Sequence, residues 1–295
     1  MKRIIAITLA LCLVCLTGCS LGGGGNYTFS QTNYPKIGGS PSAQALINDI
    51  TATALAMDRS NVGEFTEASD STADAYKALC DGKLDIILAY EPDMQTQAYI
   101  KESGKDVEMT AVATDALIMI CSTENPVDSL TENQLSGIYS GRIKSWSEVG
   151  GKKSDILPYQ SAANSAEQEL FNRTLNMGDR LKTATKELVI DSSGHIFAAA
   201  SEYDNSDEAI GYSTYHDMQL TLNGLSSVYD TVKILSVDGV SPNAETVSSG
   251  EYALCEKIYV VIRKSALSGS PERVLYDWIC SEQGKEVIMR AGYGV

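Results

Sequence analysis

Hydroxyl and amide side chains gather at several points of this 295-residue chain directly ahead of segments patterned as helices. The densest cluster lies in SDILPYQSAANSAEQELF, Ser154 to Phe171. There the apolar pair Ile156 and Leu157 gives way to small polar residues, and a helix then starts with Asn164 or Ser165 as its cap. Ser165 and Gln168 have the spacing of a capping box, which satisfies N–H groups left free in a first helical turn. The same N–H groups, at the positive end of the helix dipole, hold an oxyanion when one is offered. Capping is the ordinary use of such a cluster and anion binding the other, and the remainder of the chain has to decide between them.

Other chemistries find little to work with. The only histidines are His195 and His216, a poor supply for zinc or for a histidine-based triad. GGSPS comes near a nucleophile elbow but lacks the closing glycine, and neither SxxK nor the glycine-rich phosphate loop occurs. His195 in SSGHIF sits beside Ile196 and Phe197, the setting of a packed or surface histidine. Carboxylates are abundant, yet no pair is singled out by its surroundings. The sequence therefore reads as a non-enzyme without cofactor or metal.

The N-terminus MKRIIAITLALCLVCLTGCS joins Lys2 and Arg3 to an apolar run, too short to span a bilayer, that ends in small residues before a cysteine. Leu16, Thr17, Gly18 and Cys19 resemble the bacterial lipobox, which implies cleavage before Cys19 and lipidation of it. The glycines at 22–25 then form a flexible tether. Residues 1–18 are expected as a signal peptide, 19–25 as the lipidated cysteine and tether, and the folded body outside the cell, held to the membrane by its lipid anchor. Hydrophobic residues make up 43% of the chain, enough for a sizeable core. A formal charge of −15 argues against nucleic acid or an anionic membrane surface as partner. It does not forbid a small anion, because oriented N–H dipoles act locally. Cys80, Cys121, Cys255 and Cys280 sit in apolar or helical stretches without a CxxC pair, and read as buried free thiols; one disulfide among them stays open.

The elements alternate between strand and helix. GGSPSAQALINDITATALAM predicts a helix with Ser40 as cap and Pro41 at its first position. SDSTADAYKALCDGK predicts a second, capped by Ser71 or Thr72 and stopped at Gly82. LDIILAY has the continuous apolar character of a strand buried on both faces, ATDALIMICS follows as another, and AIGYSTY, VKILSV and EKIYVVIRK continue the series. Helices are expected near Thr96 to Glu102, in LTENQLSGIYSG, from Glu167 to Leu175 and twice in the C-terminal segment. This alternation implies α/β architecture with a mainly parallel sheet.

Four segments in order resemble the phosphate-type periplasmic solute-binding lipoproteins of ABC importers: ENPVDSLTENQLSGIYSGRIKSWSEVGG, AIGY, VDGVSPNAETVSSGEYAL and LYDWICSEQGKEVIMRAGYGV. The resemblance implies a type II periplasmic-binding-protein fold of two lobes, with two crossing strands as hinge and a ligand cleft between the lobes. It implies 26–114 plus 215–295 as lobe one, 115–214 as lobe two, and crossings near Ala113 to Ala116 and Gly211 to Thr214. It further implies a monomer that captures a small anion such as phosphate and delivers it to the importer's membrane subunits. The family loop resembling DGSTS is GGSPS here, which assigns ligand contacts to Ser40, Pro41 and Ser42. The hydroxyl ahead of AYKAL assigns Ser71 and Thr72, and the position after the strand assigns Tyr90 or Glu91. The family's QR and NSGSQ loop is matched by QSAANSAEQ, assigning Gln160, Ser161, Asn164, Ser165 and Ala166. Ser161 stands where the family has arginine, so a permanently charged fork is missing. Ala166 stands where it has glycine, adding a methyl to a close approach. These departures keep open a ligand of lower charge, or a divergent fold serving as a sensor or adhesion module.

Overall fold

The structure, a computed structural model, describes residues 27–190, 206–222 and 231–295, with 196, 199 and 200 between them. The expected signal peptide, Cys19, the glycine tether and His195 lie outside the described residues.

In chain order, β1 (Ile37–Gly39) runs into a 3-10 turn (Pro41–Ala43) and helix α1 (Gln44–Leu55). Then come β2 (Thr66–Ala68), α2 (Thr72–Cys80), β3 (Ile86–Tyr90) and α3 (Met94–Glu102). The long strand β4 (Val107–Ser122) leads to β5 (Ser129–Leu130), α4 (Glu132–Tyr139), β6 (Leu157–Pro158), β7 (Gln160–Ser161) and α5 (Ala166–Leu175). After β8 (Val189–Ile190) follow β9 (Ala209–Thr214), α6 (Tyr215–Leu222), β10 (Val232–Val237) and α7 (Ala244–Ser248). Strand β11 (Cys255–Arg263) and helices α8 (Pro271–Ile279) and α9 (Glu282–Arg290) complete the series.

Strand β4 belongs to two sheets. From Val107 to Ala116 it pairs with β11, in the order β2-β1-β3-β11-β4; from Leu117 onward it pairs with β9 and β10, which carry β6 and β5. The change of partner falls where the first crossing is expected, and β9 ends at Thr214 where the second is. Strand β10 lies within the 215–295 span expected for lobe one, yet it hydrogen-bonds to the far half of β4. The sheet is also not mainly parallel. The parallel ladders, β1 with β2 and β3 among them, span at most three residue pairs, whereas those of β11 with β3 and β4, and of β4 with β9 and β10, are antiparallel and longer. A strand covered on both faces reads apolar whichever way its neighbours run. Strand β3 is buried throughout, with β1 parallel on one side and β11 antiparallel on the other.

Two packing details fix what later forms the site. A Cβ on Gly39 would stand 2.0 Å from the Leu88 carbonyl oxygen, so the chain leaves β1 for the 3-10 turn in close contact with β3 only because that residue is glycine. Behind α5, Phe171 stacks on Tyr212 with ring centroids 4.5 Å apart, and Tyr139 meets both rings edge-on. The Tyr212 hydroxyl donates to Gln168 Oε1 at 2.5 Å and accepts from the Ser161 N–H at 3.0 Å, which sets the rotation of α5 about its axis.

Beside the change of partner in β4, Asp115 is fully buried and its Oδ2 lies 2.7 Å from Nδ1 of His216, the second residue of α6. Asp115 Oδ1 accepts from the N–H groups of Ala116 and His216, and the His216 ring stacks on Tyr293 at 4.4 Å. Burial pulls the imidazole pKa down, but the Asp115 carboxylate, with Asp217 and Glu167 beyond it, outweighs burial and the net shift is upward. Cys80 and Cys121 are buried, Cys255 and Cys280 half-buried, and all four are free thiols.

Candidate oxyanion cradle

The site starts from two chain turns that point N–H groups the same way. Helix α2 opens with Ser71 as its cap: the Ser71 hydroxyl accepts from the Asp74 N–H at 3.1 Å and donates to Asp74 Oδ2 at 2.7 Å. Capping therefore uses Ser71 and leaves the next residue, Thr72, with a free N–H and a free hydroxyl in the first helical turn. In the turn after β1, Ser40 caps Pro41–Ala43 in position only, with no side-chain bond to the turn. Its N–H goes to Leu88 O, and its fully buried hydroxyl has no hydrogen-bond partner among the described residues. That turn presents the N–H and hydroxyl of Ser42.

Both pairs of donors converge on one carboxylate, that of Glu169 on α5. Thr72 donates to Oε1 from its N–H at 3.1 Å and its hydroxyl at 2.6 Å. Ser42 reaches Oε2 with its N–H at 3.3 Å and its hydroxyl at 2.7 Å. The Ser42 hydroxyl also lies 3.2 Å from the Ala166 carbonyl oxygen, so its single proton serves one acceptor or the other. Each carboxylate oxygen is thus held by one backbone and one hydroxyl donor, the charge-assisted kind of hydrogen bond. One helical turn further along α5, Arg173 places its guanidinium 4.9 Å from the Tyr90 ring centroid. Arg173 donates to the Glu91 carbonyl at 3.2 Å and pairs with Glu256 at 3.6 Å. Burial raises the Glu256 pKa against the pull of Arg173, and burial pushes the Tyr90 phenol far up.

The chain matches a family model for a PBP superfamily domain over residues 28–280. The chain belongs to the PBP superfamily. Among its relatives are the phosphate-binding protein PstS of Borreliella burgdorferi, 25% identical over 203 residues covering 67% of this chain and 68% of the relative, and a PstS of Staphylococcus aureus, 24% identical over 292 residues covering 97% and 86%. Solved structures of the same fold include an ABC-type phosphate transport receptor from Vibrio cholerae, with TM-score 0.70 and 19% identity, covering 88% of this chain and 98% of the receptor. PstS from Borrelia burgdorferi aligns with TM-score 0.62 at 20% identity, covering 88% and 96%.

In this PBP superfamily chain the expected contacts divide. Ser42 and Thr72 are brought together as donors, and Ala166 meets Ser42 through its carbonyl. Pro41 is half-buried in the turn that presents Ser42. Tyr90 packs under the Arg173 guanidinium, while Glu91 is exposed and engages Arg173 through its backbone. Ser71 and Ser165 act as caps; Ser165 accepts from the Gln168 N–H at 3.1 Å, and the Gln168 side chain turns to Tyr212 and Asn172 instead of completing a capping box. Asn164 is exposed and does not cap the helix. Gln160 is drawn away, its amide donating to Lys182 O at 2.7 Å beside a separate cavity lined by Tyr139 and Ile156. Ser161 gives its N–H to Tyr212. The residue that the sequence reading passed over is Glu169. Within AEQEL it looks like an ordinary acid of a first helical turn, and only its spacing of four from Arg173 hints at a shared face.

Proposed function

We propose that this chain is an extracytoplasmic solute-binding lipoprotein, not an enzyme, which captures a small oxyanion, phosphate foremost, and delivers it to an ABC importer. The observation that carries the reading is the convergence of the Ser42 and Thr72 donors on both oxygens of a single carboxylate. A cradle that satisfies two oxygens of one acid at hydrogen-bonding distance has the geometry needed for two oxygens of a phosphate. The named relatives are phosphate-binding proteins, which supports the same ligand. Lobe one is taken as 26–114 plus 215–295 and lobe two as 115–214, with β10 packed across onto lobe two's sheet. Cys19 carries the lipid that holds the protein at the membrane.

The absence of a cationic side chain among the cradle donors favours a second ligand class, small carboxylates of single charge. Thermal unfolding of the purified protein with phosphate, sulfate and short carboxylates separates the two. A ligand at a hundred times its Kd adds about 2.7 kcal/mol to the folded state. A shift with phosphate supports the first reading, a shift with carboxylates alone supports the second, and no shift with any of them refutes oxyanion binding.

A further inference from the structure

The cradle is filled by a residue that belongs to the protein. We infer that Glu169 is a tethered occupant of the oxyanion site: its carboxylate holds the cleft shut, and an incoming anion binds only by displacing it. The inference rests on the oxyanion reading above and names what regulates that site.

The geometry is that of a bound ligand. A glutamate in the first turn of a helix ordinarily keeps its carboxylate in water, where hydration and the nearby dipole satisfy it. Here the Glu169 carboxylate instead takes both N–H groups and both hydroxyls that Ser42 and Thr72 present, at 2.6 to 3.3 Å. Its donors come from the turn after β1 and the first residue of α2, whereas Glu169 rides on α5, so the contact joins residues separated by 97 and 127 positions in sequence. Arg173, on the same face of α5, makes a second contact across to Glu91 and Glu256. The aromatic packing of Phe171 and the Tyr212–Gln168 hydrogen bond fix the rotation of α5 that aims both side chains.

A phosphate cannot share this place. The four donors that would hold it are already used by the Glu169 carboxylate. None of those donors carries a positive charge. Entry of an anion therefore requires Glu169 to rotate out and α5 to release the turn after β1 and the start of α2. Apparent affinity is then reduced by the fraction of molecules whose cradle stands open. If the tether is seated in 90 to 99% of molecules, removing it strengthens phosphate binding by about 10- to 100-fold.

The test is calorimetry with inorganic phosphate and with acetate on wild type, Glu169→Ala and Glu169→Gln, alongside small-angle scattering of each without added anion. Circular dichroism checks that each variant folds. The expected result is phosphate binding at least tenfold tighter in Glu169→Ala than in wild type, acetate binding only in the variant, and a larger radius of gyration for the unliganded variant. Glu169→Gln, of the same size, is expected to shift in the same direction, because its amide nitrogen cannot accept from the Ser42 or Thr72 donors, and it decides the question if Glu169→Ala does not fold. Weaker or unchanged phosphate binding in the variants overturns the inference while leaving the oxyanion reading intact, since Glu169 would then contact bound phosphate or play no part. An unchanged radius of gyration in both variants overturns the closure role. If no form binds any anion but the variants still open, the closing contact stands, while its displacement by an anion falls together with the oxyanion reading.

Discussion

Replacing His216 by alanine tests the packing of the crossing region in a way that separates charge from volume. In the native protein Asp115 has three partners: the N–H groups of Ala116 and His216 on Oδ1, and the His216 ring on Oδ2 at 2.7 Å. Alanine keeps both backbone donors and removes only the partner of Oδ2, leaving a fully buried carboxylate oxygen uncompensated. Breaking a buried pair by removing one member costs about 3 to 5 kcal/mol. The two retained bonds place the expected loss near the lower end, about 3 kcal/mol, with the lost stacking on Tyr293 adding to it. At about 2 to 4 °C per kcal/mol for a chain of this size class, the midpoint should fall by roughly 6 to 12 °C. The pH dependence gives the sharper criterion. His216 faces Asp115 from β4, Asp217 on its own helix, Glu167 on α5 and Asp49 on α1, and its pKa is raised above 6.5. The charged pair's contribution is therefore complete below about pH 6.5 and declines as pH rises through the raised folded value. Calorimetric melts from pH 5.5 to 9 should show the gap between wild type and His216→Ala narrowing with rising pH. Adding Asp115→Ala to His216→Ala should recover part of the loss by removing the orphaned charge. A gap under about 1 kcal/mol, or one that widens toward alkaline pH, would refute the reasoning.

Further outcomes follow from the same geometry. In the Glu169→Ala background, where no tether competes, Thr72→Val keeps the backbone donor but deletes the hydroxyl that lies 2.6 Å from the carboxylate in the native protein, and should weaken phosphate binding by roughly 10- to 100-fold, the worth of one hydrogen bond to a charged group; equal calorimetric affinities of Glu169→Ala with and without Thr72→Val would count against the cradle. Gly39→Ala drives a Cβ against the Leu88 carbonyl and should lower the urea midpoint by the equivalent of about 1 to 3 kcal/mol. Burial pushes the thiols of Cys121 and Cys255 up to about 12, so neither should react appreciably with a disulfide reagent at pH 8 until the protein is unfolded, and rapid labelling of Cys121 in the native state would contradict its packing.

Much of this architecture is legible where the cause is local. The cap at Ser71, the stop at Gly82 and the buried run of β3 are visible in short windows, because capping bonds and burial act within a few residues. Strand β4 is only half legible: Ala113 to Ser122 reads as a strand, but Val107 to Thr110 is partly exposed and polar enough to lose the pattern. Sheet direction is not written in hydropathy at all. The site divides in the same way. Ser42 and Thr72, which the structure brings together on Glu169, can be picked out because donors at helix starts have a sequence form. Glu169 and the Asp115–His216 pair are missed because each depends on elements about a hundred residues apart coming together. Gln160 is expected at the ligand, and its amide donates to the Lys182 carbonyl, a partner that no local pattern announces.

Half of the donors that grip Glu169 are main-chain N–H groups, and these do not mutate. Any residue except proline at 42 or 72 still supplies one, provided the turn after β1 and the start of α2 keep their paths. Side-chain identity at the cradle is thus free to drift over generations, at the cost of hydroxyl bonds that can be lost and regained one at a time. The inherited quantity is a backbone course, and an ancestral preference for negative oxygen can persist after every recognisable ligand residue has been exchanged.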